Sequence, residues 1–315
     1  MRVSPTPWFG AVFAGLAGCL LAGCGGVASV GGEGTSVVAG FYPFAYVADR
    51  VAGEHADVTN LTGAGAEPHD LELTPQQVAA VAAADVTVYE EGFQPAVDAA
   101  VQENAEGSVL EVTKAVGHSS SDAALGHAGH QSRGDAHAHP DLAADPHIWQ
   151  DPTKLAAVAT SLAGKLAEAD PDNAADYRRN ADRLVADLQR LDRDFRRGLA
   201  DCERRTFVTS HAAFGHLAQR YGLEMLPIAG LSPDIEPSPA RLAELEQVVT
   251  DEGVTTIFSE TLASPALART LAEEVGVRTA VLDPVEGLSD ATQDEDYLSL
   301  MRSNLAALKK ANGCT

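Results

Sequence analysis

Positive charge is scarce in this chain. Against 45 acidic residues its 315 residues include only 22 lysines and arginines, a formal net charge of −23. Phosphate recognition needs a basic patch, so nucleic acid is excluded as a partner. An acidic surface suits a soluble protein and favours cations as ligands without identifying one. Long apolar runs are missing beyond the N-terminal segment, so nothing further along is built to span a bilayer, which takes about 20 apolar residues. There is no Gly-x-x-x-x-Gly-Lys loop, so the chain lacks the phosphate cradle of a P-loop ATPase. There is no His-Glu-x-x-His pair, which removes one common zinc-hydrolase signature. Cysteine is sparse too, at four.

What is present begins with those cysteines. Arg2 gives a thin positive start, and Trp8 to Leu21 is an apolar stretch of Ala, Gly, Leu and Val. It is too short to span a bilayer and reads as the apolar region of a signal peptide. It ends in Leu21-Ala22-Gly23-Cys24, followed by Gly25 and Gly26, which resembles the lipobox of bacterial lipoproteins, whose cysteine is lipidated. A second copy, Leu16-Ala17-Gly18-Cys19, lies upstream. Cys24 is preferred because cleavage there leaves a full apolar region and a Gly-rich tether. An ordinary signal peptide with incidental cysteines is the competing reading. The expectation is an exported protein, held to the outer face of the cytoplasmic membrane by a lipid anchor only, or periplasmic. Cys202 and Cys314 remain. In an exported protein such a pair commonly forms a disulfide; two free buried thiols are the alternative.

From Thr35 strands and helices alternate. Val37-Val38-Ala39, Ala56 to Leu61, Val86 to Tyr89 and Val109 to Val112 read as strands, and Phe44, Val47 and Val51 share a helical face. Thr74-Pro75-Gln76-Gln77 carries the signature of a capping box. Asp170-Pro171 opens a long helix in which Tyr177, Ala181, Leu184, Leu188, Leu191, Phe195 and Leu199 form one apolar stripe. The alternation then resumes: strands at Thr206 to Thr209, Met225 to Ile228, Thr255 to Phe258 and Thr279 to Leu282, and helices at Phe214 to Tyr221, from Ser238-Pro239 to Thr250, at Pro265 to Val275 and from Tyr297 to Asn312. The pattern predicts an α/β protein: two α/β domains with mainly parallel sheets, joined by one long helix. The expected boundaries are a signal peptide over 1–24, a tether over 25–34, an N-terminal domain over 35–168 with a loop at 115–144, a linking helix over 169–201 and a C-terminal domain over 202–315. The loop has no apolar periodicity and carries His118, His127, His130, His137 and His139.

The other histidines sit differently. His69 lies in Glu67-Pro68-His69-Asp70, just before the capped helix. His147 lies in Asp145-Pro146-His147-Ile148-Trp149. His211 follows a strand in Thr209-Ser210-His211, and Asp283 follows the last strand in Leu282-Asp283-Pro284. All are at strand ends or loops, where open α/β sheets bind ligands. Two facing domains would bring His69 and His147 from one side against His211 and Asp283 from the other. Three imidazoles and a carboxylate make a tetrahedral site that suits zinc. Softer metals want thiolate, calcium and magnesium want oxygen, and manganese sites typically hold more carboxylate. His55 and His216 are read as structural or exposed.

Taken in order, these motifs resemble the zinc- and manganese-binding solute-binding proteins of ABC importers, the ZnuA/TroA-like group, over nearly the whole chain from Val37. The matching segments are Glu67-Pro68-His69 with Leu73-Thr74-Pro75, then Asp145-Pro146-His147-Ile148-Trp149 with Asp151-Pro152. Ser210-His211 with Phe214-Gly215 and Tyr221-Gly222-Leu223 comes next. Leu231-Ser232-Pro233, Glu236-Pro237-Ser238-Pro239, Phe258-Ser259-Glu260 and Leu282-Asp283-Pro284 complete the series. The resemblance implies extracytoplasmic zinc capture and delivery of Zn2+ to a permease driven by a separate ATPase subunit, by a monomer and not an enzyme, with a zinc metallochaperone as a possible further partner. It implies His69, His147, His211 and Asp283 as ligands, with His211 pointing to zinc because manganese members tend to carry a carboxylate there. Glu260 is expected to orient an imidazole and Glu67 to reach the metal or brace a turn. The loop histidines are either a weak auxiliary zinc site or a solvated segment of biased composition. His216 departs from the pattern, where an aromatic residue is more usual. The rival readings are a manganese or other transition-metal carrier, an adhesin of the same fold, and a zinc hydrolase with an open fourth position. Ligands must be deprotonated, so affinity is expected to fall as pH drops through the ordinary histidine range near roughly 6.5.

Overall fold

Short stretches, most of them containing valine, isoleucine or threonine, form parallel strands, and the segments between them form helices. The structure is a computed structural model that describes residues 34–117 and 145–315. The signal and lipobox residues, Cys19 and Cys24, and the histidines His118, His127, His130, His137 and His139 lie outside the described residues. The first sheet comprises β1 (Thr35–Ala39), β2 (Ala56–Asn60), β3 (Val86–Tyr89) and β4 (Ser108–Glu111), in the order β2-β1-β3-β4. The second comprises β5 (Thr206–Thr209), β6 (Glu224–Pro227), β7 (Thr256–Ser259) and β8 (Arg278–Val281), in the order β6-β5-β7-β8. Every pairing is parallel. The two sheets therefore repeat one topology. In each, the first strand is flanked by the second and third, so the connections diverge and a crevice opens at the carboxyl ends of the strands. All functional side chains considered below lie on that side.

The helices of the first half are α1 (Tyr42–Ala52), α2 (Pro75–Ala83), α3 (Pro95–Asn104), α4 (Val112–Gly117) and α5 (Pro152–Ala169). At α2 the capping box is complete: the Thr74 hydroxyl accepts the Gln77 N–H, and the Gln77 side chain accepts the Thr74 N–H. The sequence pattern at 109–112 misplaces one boundary. Val112 begins α4 because the Glu111 carboxylate accepts the N–H groups of Thr113 and Lys114, at 2.9 and 2.8 Å, and so caps a helix there.

The long helix is α6 (Ala174–Gly198), 25 residues, about 38 Å at 1.5 Å per residue. Its stripe Tyr177, Ala181, Leu184, Leu188, Leu191 and Phe195 is buried and packs on α1, α5 and α10 (Tyr297–Asn312). It is shorter than the sequence suggests because Pro171–Asn173 forms a single 3-10 turn, with Asp170 accepting hydrogen bonds from Asn173 and Tyr177. Between α6 and α10 lie α7 (Gly215–Tyr221), α8 (Pro239–Asp251) and α9 (Ala266–Val275). Arg220 on α7 pairs with Asp192 of α6 at 2.7 Å and with Asp151, the N-cap of α5, at 3.1 Å. One guanidinium thus ties both halves to the long helix. Cys202 and Cys314 form a disulfide that fastens the end of α10 to the chain just after α6. No helix among the described residues is long and apolar enough to cross a membrane.

Candidate metal centre

Four loops bring the site together. The segment after β2 carries His69. The turn just before α5 carries His147. His211 stands two residues past the end of β5, and the loop after β8 carries Glu286. His147 and His211 are fully buried, Glu286 is 1% exposed, and the His69 side chain is 10% exposed. The Glu286 Oε1 lies 3.4 Å from the Nε2 of His147, 3.4 Å from that of His211 and 3.7 Å from that of His69. All four atoms fall within 4.8 Å of one another. None has a hydrogen-bond partner among the described residues. A buried polar atom left unpaired costs about 1–3 kcal/mol, so four of them aimed at one point need a common partner. A tetrahedron with bonds of about 2.0–2.2 Å has edges of roughly 3.3–3.6 Å. The three edges that meet at Glu286, 3.4, 3.4 and 3.7 Å, are close to that size.

Two of the imidazoles are braced from behind. The His147 Nδ1 meets Asp145 Oδ1 at 2.8 Å, and the His211 Nδ1 meets Glu260 Oε2 at 2.7 Å. These contacts fix both rings with Nε2 turned to the centre, the usual arrangement behind metal-binding histidines. Glu260 thus stands where it can orient the His211 ring. His69 has no such carboxylate hydrogen bond among the described residues; its ring lies edge-on to Phe93, with centroids 4.5 Å apart. Glu67 accepts the His69 N–H at 3.2 Å and its Oε1 stands 4.0 Å from the His69 Nε2. The loop that carries His69 is latched to the opposite half, where the Gly65 N–H donates to the Leu288 carbonyl at 2.7 Å.

Asp283 does not join the cluster, contrary to the expectation from sequence. Its Oδ1 accepts the Val285 N–H at 2.7 Å and its Oδ2 accepts the Thr261 hydroxyl at 2.9 Å. The carboxylate is spent on its own turn, as Asp residues at turn starts commonly are. The carboxylate that faces the imidazoles is that of Glu286. Asp-Pro at 283–284 is itself a turn signal, and it could have shifted attention to the next acid along. His216, read as structural or exposed, is buried beside the site: its Nε2 lies 3.0 Å from the Asp145 carbonyl and its Nδ1 3.0 Å from Lys154 Nζ.

The electrostatics favour a cation. Asp145, Glu260 and Glu286 are all buried here, and three carboxylates around three imidazoles leave the cluster negative when the rings are neutral. Burial opposes a charged Glu286, but the imidazoles of His147, His211 and His69 that face it outweigh burial and hold its carboxyl well below the usual range. Burial likewise opposes a charged His211, yet Glu260 and Glu286 push it up to about 10. His147 is raised against its burial by Asp145 and Glu286. Burial, with the nearby Glu286 charge, pushes Glu67 up to about 7. The facing carboxylates thus favour the protonated form of both His147 and His211, so a proton would compete with a cation for these rings. The competition between proton and metal therefore extends above the ordinary histidine range.

Two parallel sheets of one topology with a buried three-imidazole, one-carboxylate cluster between their strand ends make a candidate metal centre. The family model described as zinc-uptake complex component A, periplasmic, matches residues 37–311, and the chain belongs to that family. It is 36% identical over 305 residues to the zinc-binding lipoprotein AdcA of Streptococcus pneumoniae, covering 95% of this chain and 60% of that protein. It therefore spans only part of the AdcA proteins it matches. It is 35% identical over 298 residues to the high-affinity zinc uptake system protein ZnuA of Bacillus subtilis, covering 92% of this chain and 93% of that one. The crystal structure of the Zn(II)-bound ZnuA-like domain of Streptococcus pneumoniae AdcA superposes with a TM-score of 0.71 at 36% identity, over 89% of this chain and 99% of that domain.

Proposed function

We propose that this protein captures Zn2+ outside the cytoplasm and hands it to an ABC-type permease powered by a separate ATPase subunit. The observation that carries the reading is the convergence of three Nε2 atoms and one Oε1 atom, all buried and unpaired among the described residues, within 4.8 Å of one another. Relatives named for zinc binding and zinc uptake support zinc as the cargo. His69, His147, His211 and Glu286 are the proposed ligands, with Asp145 and Glu260 orienting two of them. This set fills a tetrahedral sphere with protein atoms. A catalytic zinc keeps one position for water, so carriage is favoured over hydrolysis. Lipid attachment through Cys24, a monomeric state and loading by a metallochaperone belong to the same proposal.

The test is metal content and competition titration on the soluble chain from Gly25, beside a variant with His69→Ala, His147→Ala and His211→Ala. One tight zinc equivalent that the variant lacks is expected. Unchanged zinc affinity in the variant, or a preference of the parent for manganese, would overturn the reading.

A further inference from the structure

Among the described residues, Val285 is the only non-glycine residue with a positive φ, at +58°, and its side chain is fully buried. A β-branched residue in the left-handed region is an outlier that persists only where its surroundings impose it. The surroundings here are unusually complete. Asp283 accepts the Val285 N–H. The Asp283 backbone is gripped on both sides by Asn304 of α10, which accepts its N–H at 2.8 Å and donates to its carbonyl at 2.6 Å. The Pro284 carbonyl accepts the Trp149 indole N–H at 2.8 Å and also the Gln150 amide. Tyr297 in turn donates its hydroxyl to the Trp149 carbonyl at 2.6 Å. Trp149 and Gln150 belong to the same turn as His147.

We propose that this bracket, Asp283 above all, positions Glu286: by holding Val285 in the left-handed conformation it turns the carboxylate that follows toward the three imidazoles. The inference rests on the reading of His69, His147, His211 and Glu286 as the zinc ligands. Asp283 is then a positioning residue that never touches the metal. It sets how firmly the fourth ligand is presented, and the two bonds to the Pro284 carbonyl link that ligand to the arm bearing His147. With the Asp283 carboxylate removed, the Val285 N–H loses its acceptor, the turn relaxes, and Glu286 leaves the sphere while the imidazoles stay.

The experiment measures zinc affinity by competition and the d–d absorption of the Co(II)-substituted protein, for Asp283→Ala, Asp283→Asn, Thr261→Val, Glu286→Gln and the double variant of Asp283→Ala with Glu286→Gln. Asp283→Ala is expected to weaken zinc about 10–100-fold, the range for residues that orient metal ligands. It is also expected to move the Co(II) band to that of Glu286→Gln, with no further loss in the double variant. Asp283→Asn keeps an acceptor for the Val285 N–H and is expected to restore both readouts. If Asp283→Ala does not fold, Thr261→Val, which removes the hydroxyl holding the Asp283 Oδ2, is expected to shift the band the same way by less. The inference is overturned if Glu286→Gln weakens zinc while the Asp283 and Thr261 variants keep the parental affinity and band, or if the losses from Asp283→Ala and Glu286→Gln simply add. If Glu286→Gln itself leaves zinc binding and the Co(II) band unchanged, the ligand set has failed and the inference falls with it.

Discussion

His147 and His211 differ from His69 in what stands behind them. Each of the first two is fully buried and has a carboxylate on its Nδ1. His69 keeps some exposure and is held by packing against Phe93. The braced pair is built before the metal arrives; the third imidazole sits on the rim, on a loop fastened to the other half through Gly65 and Leu288. The proposed function requires a site that binds tightly and still lets go. The contrast suggests a division of labour in which two rings give affinity and the third, the least anchored, opens the path in and out.

The sharpest way to break this contrast is to remove the rings singly. His147→Ala and His211→Ala should each lose zinc by more than the roughly 100-fold that bounds orienting residues. His69→Ala should lose less and should speed metal release, read by stopped-flow chelation. Equal losses and equal release rates would erase the distinction. Removing the braces comes next: Asp145→Ala and Glu260→Ala should each cost about 10–100-fold in affinity, whereas Glu67→Gln should cost little.

Protons sharpen the same contrast. Both braced rings are raised by their carboxylates, His211 to about 10. Zinc must displace those protons, so affinity should climb with pH through neutrality, by up to about tenfold per unit for each proton displaced. Calorimetry at pH 7 in buffers of different ionisation enthalpy should show proton release, and a signal independent of the buffer would contradict it. The metal-free fold should respond in the opposite sense. A raised histidine pKa gives stability that is fully present below the unfolded value near roughly 6.5 and is lost as pH rises through about 10. The melting temperature of the metal-free protein should therefore fall between pH 7 and 10. A small effect is expected for Phe93→Leu, which keeps an apolar side chain among Phe41, His147 and Trp149 but removes the ring against His69, and it should weaken zinc a few-fold, or about 1 kcal/mol.

Much of this cluster is legible in the sequence. The three histidines stood out because each lies beside a strand end or a capped helix, where a ring has no core to fill. The α6 stripe and the Thr74 cap were equally plain, since both rest on local spacing. Glu286 was not legible, because choosing between Asp283 and Glu286 depends on the backbone at Val285, and a positive φ at a valine leaves no mark in a sequence. No helix is read at α3 or α5: the apolar residues of α3 are alanine and valine, a weak periodic signal, whereas α5 carries a stripe of Leu155, Val158, Leu162 and Leu166 that could have placed it. The start of α4 was hidden because a glutamate ending a strand caps it from within.

The most direct test is anomalous diffraction at the zinc edge from a crystal of the zinc-loaded protein. A single strong peak bonded to the Nε2 atoms of His69, His147 and His211 and to a Glu286 oxygen, at about 2.0–2.2 Å, is the predicted result. A peak beside Asp283, or one away from the three imidazoles, would contradict the account.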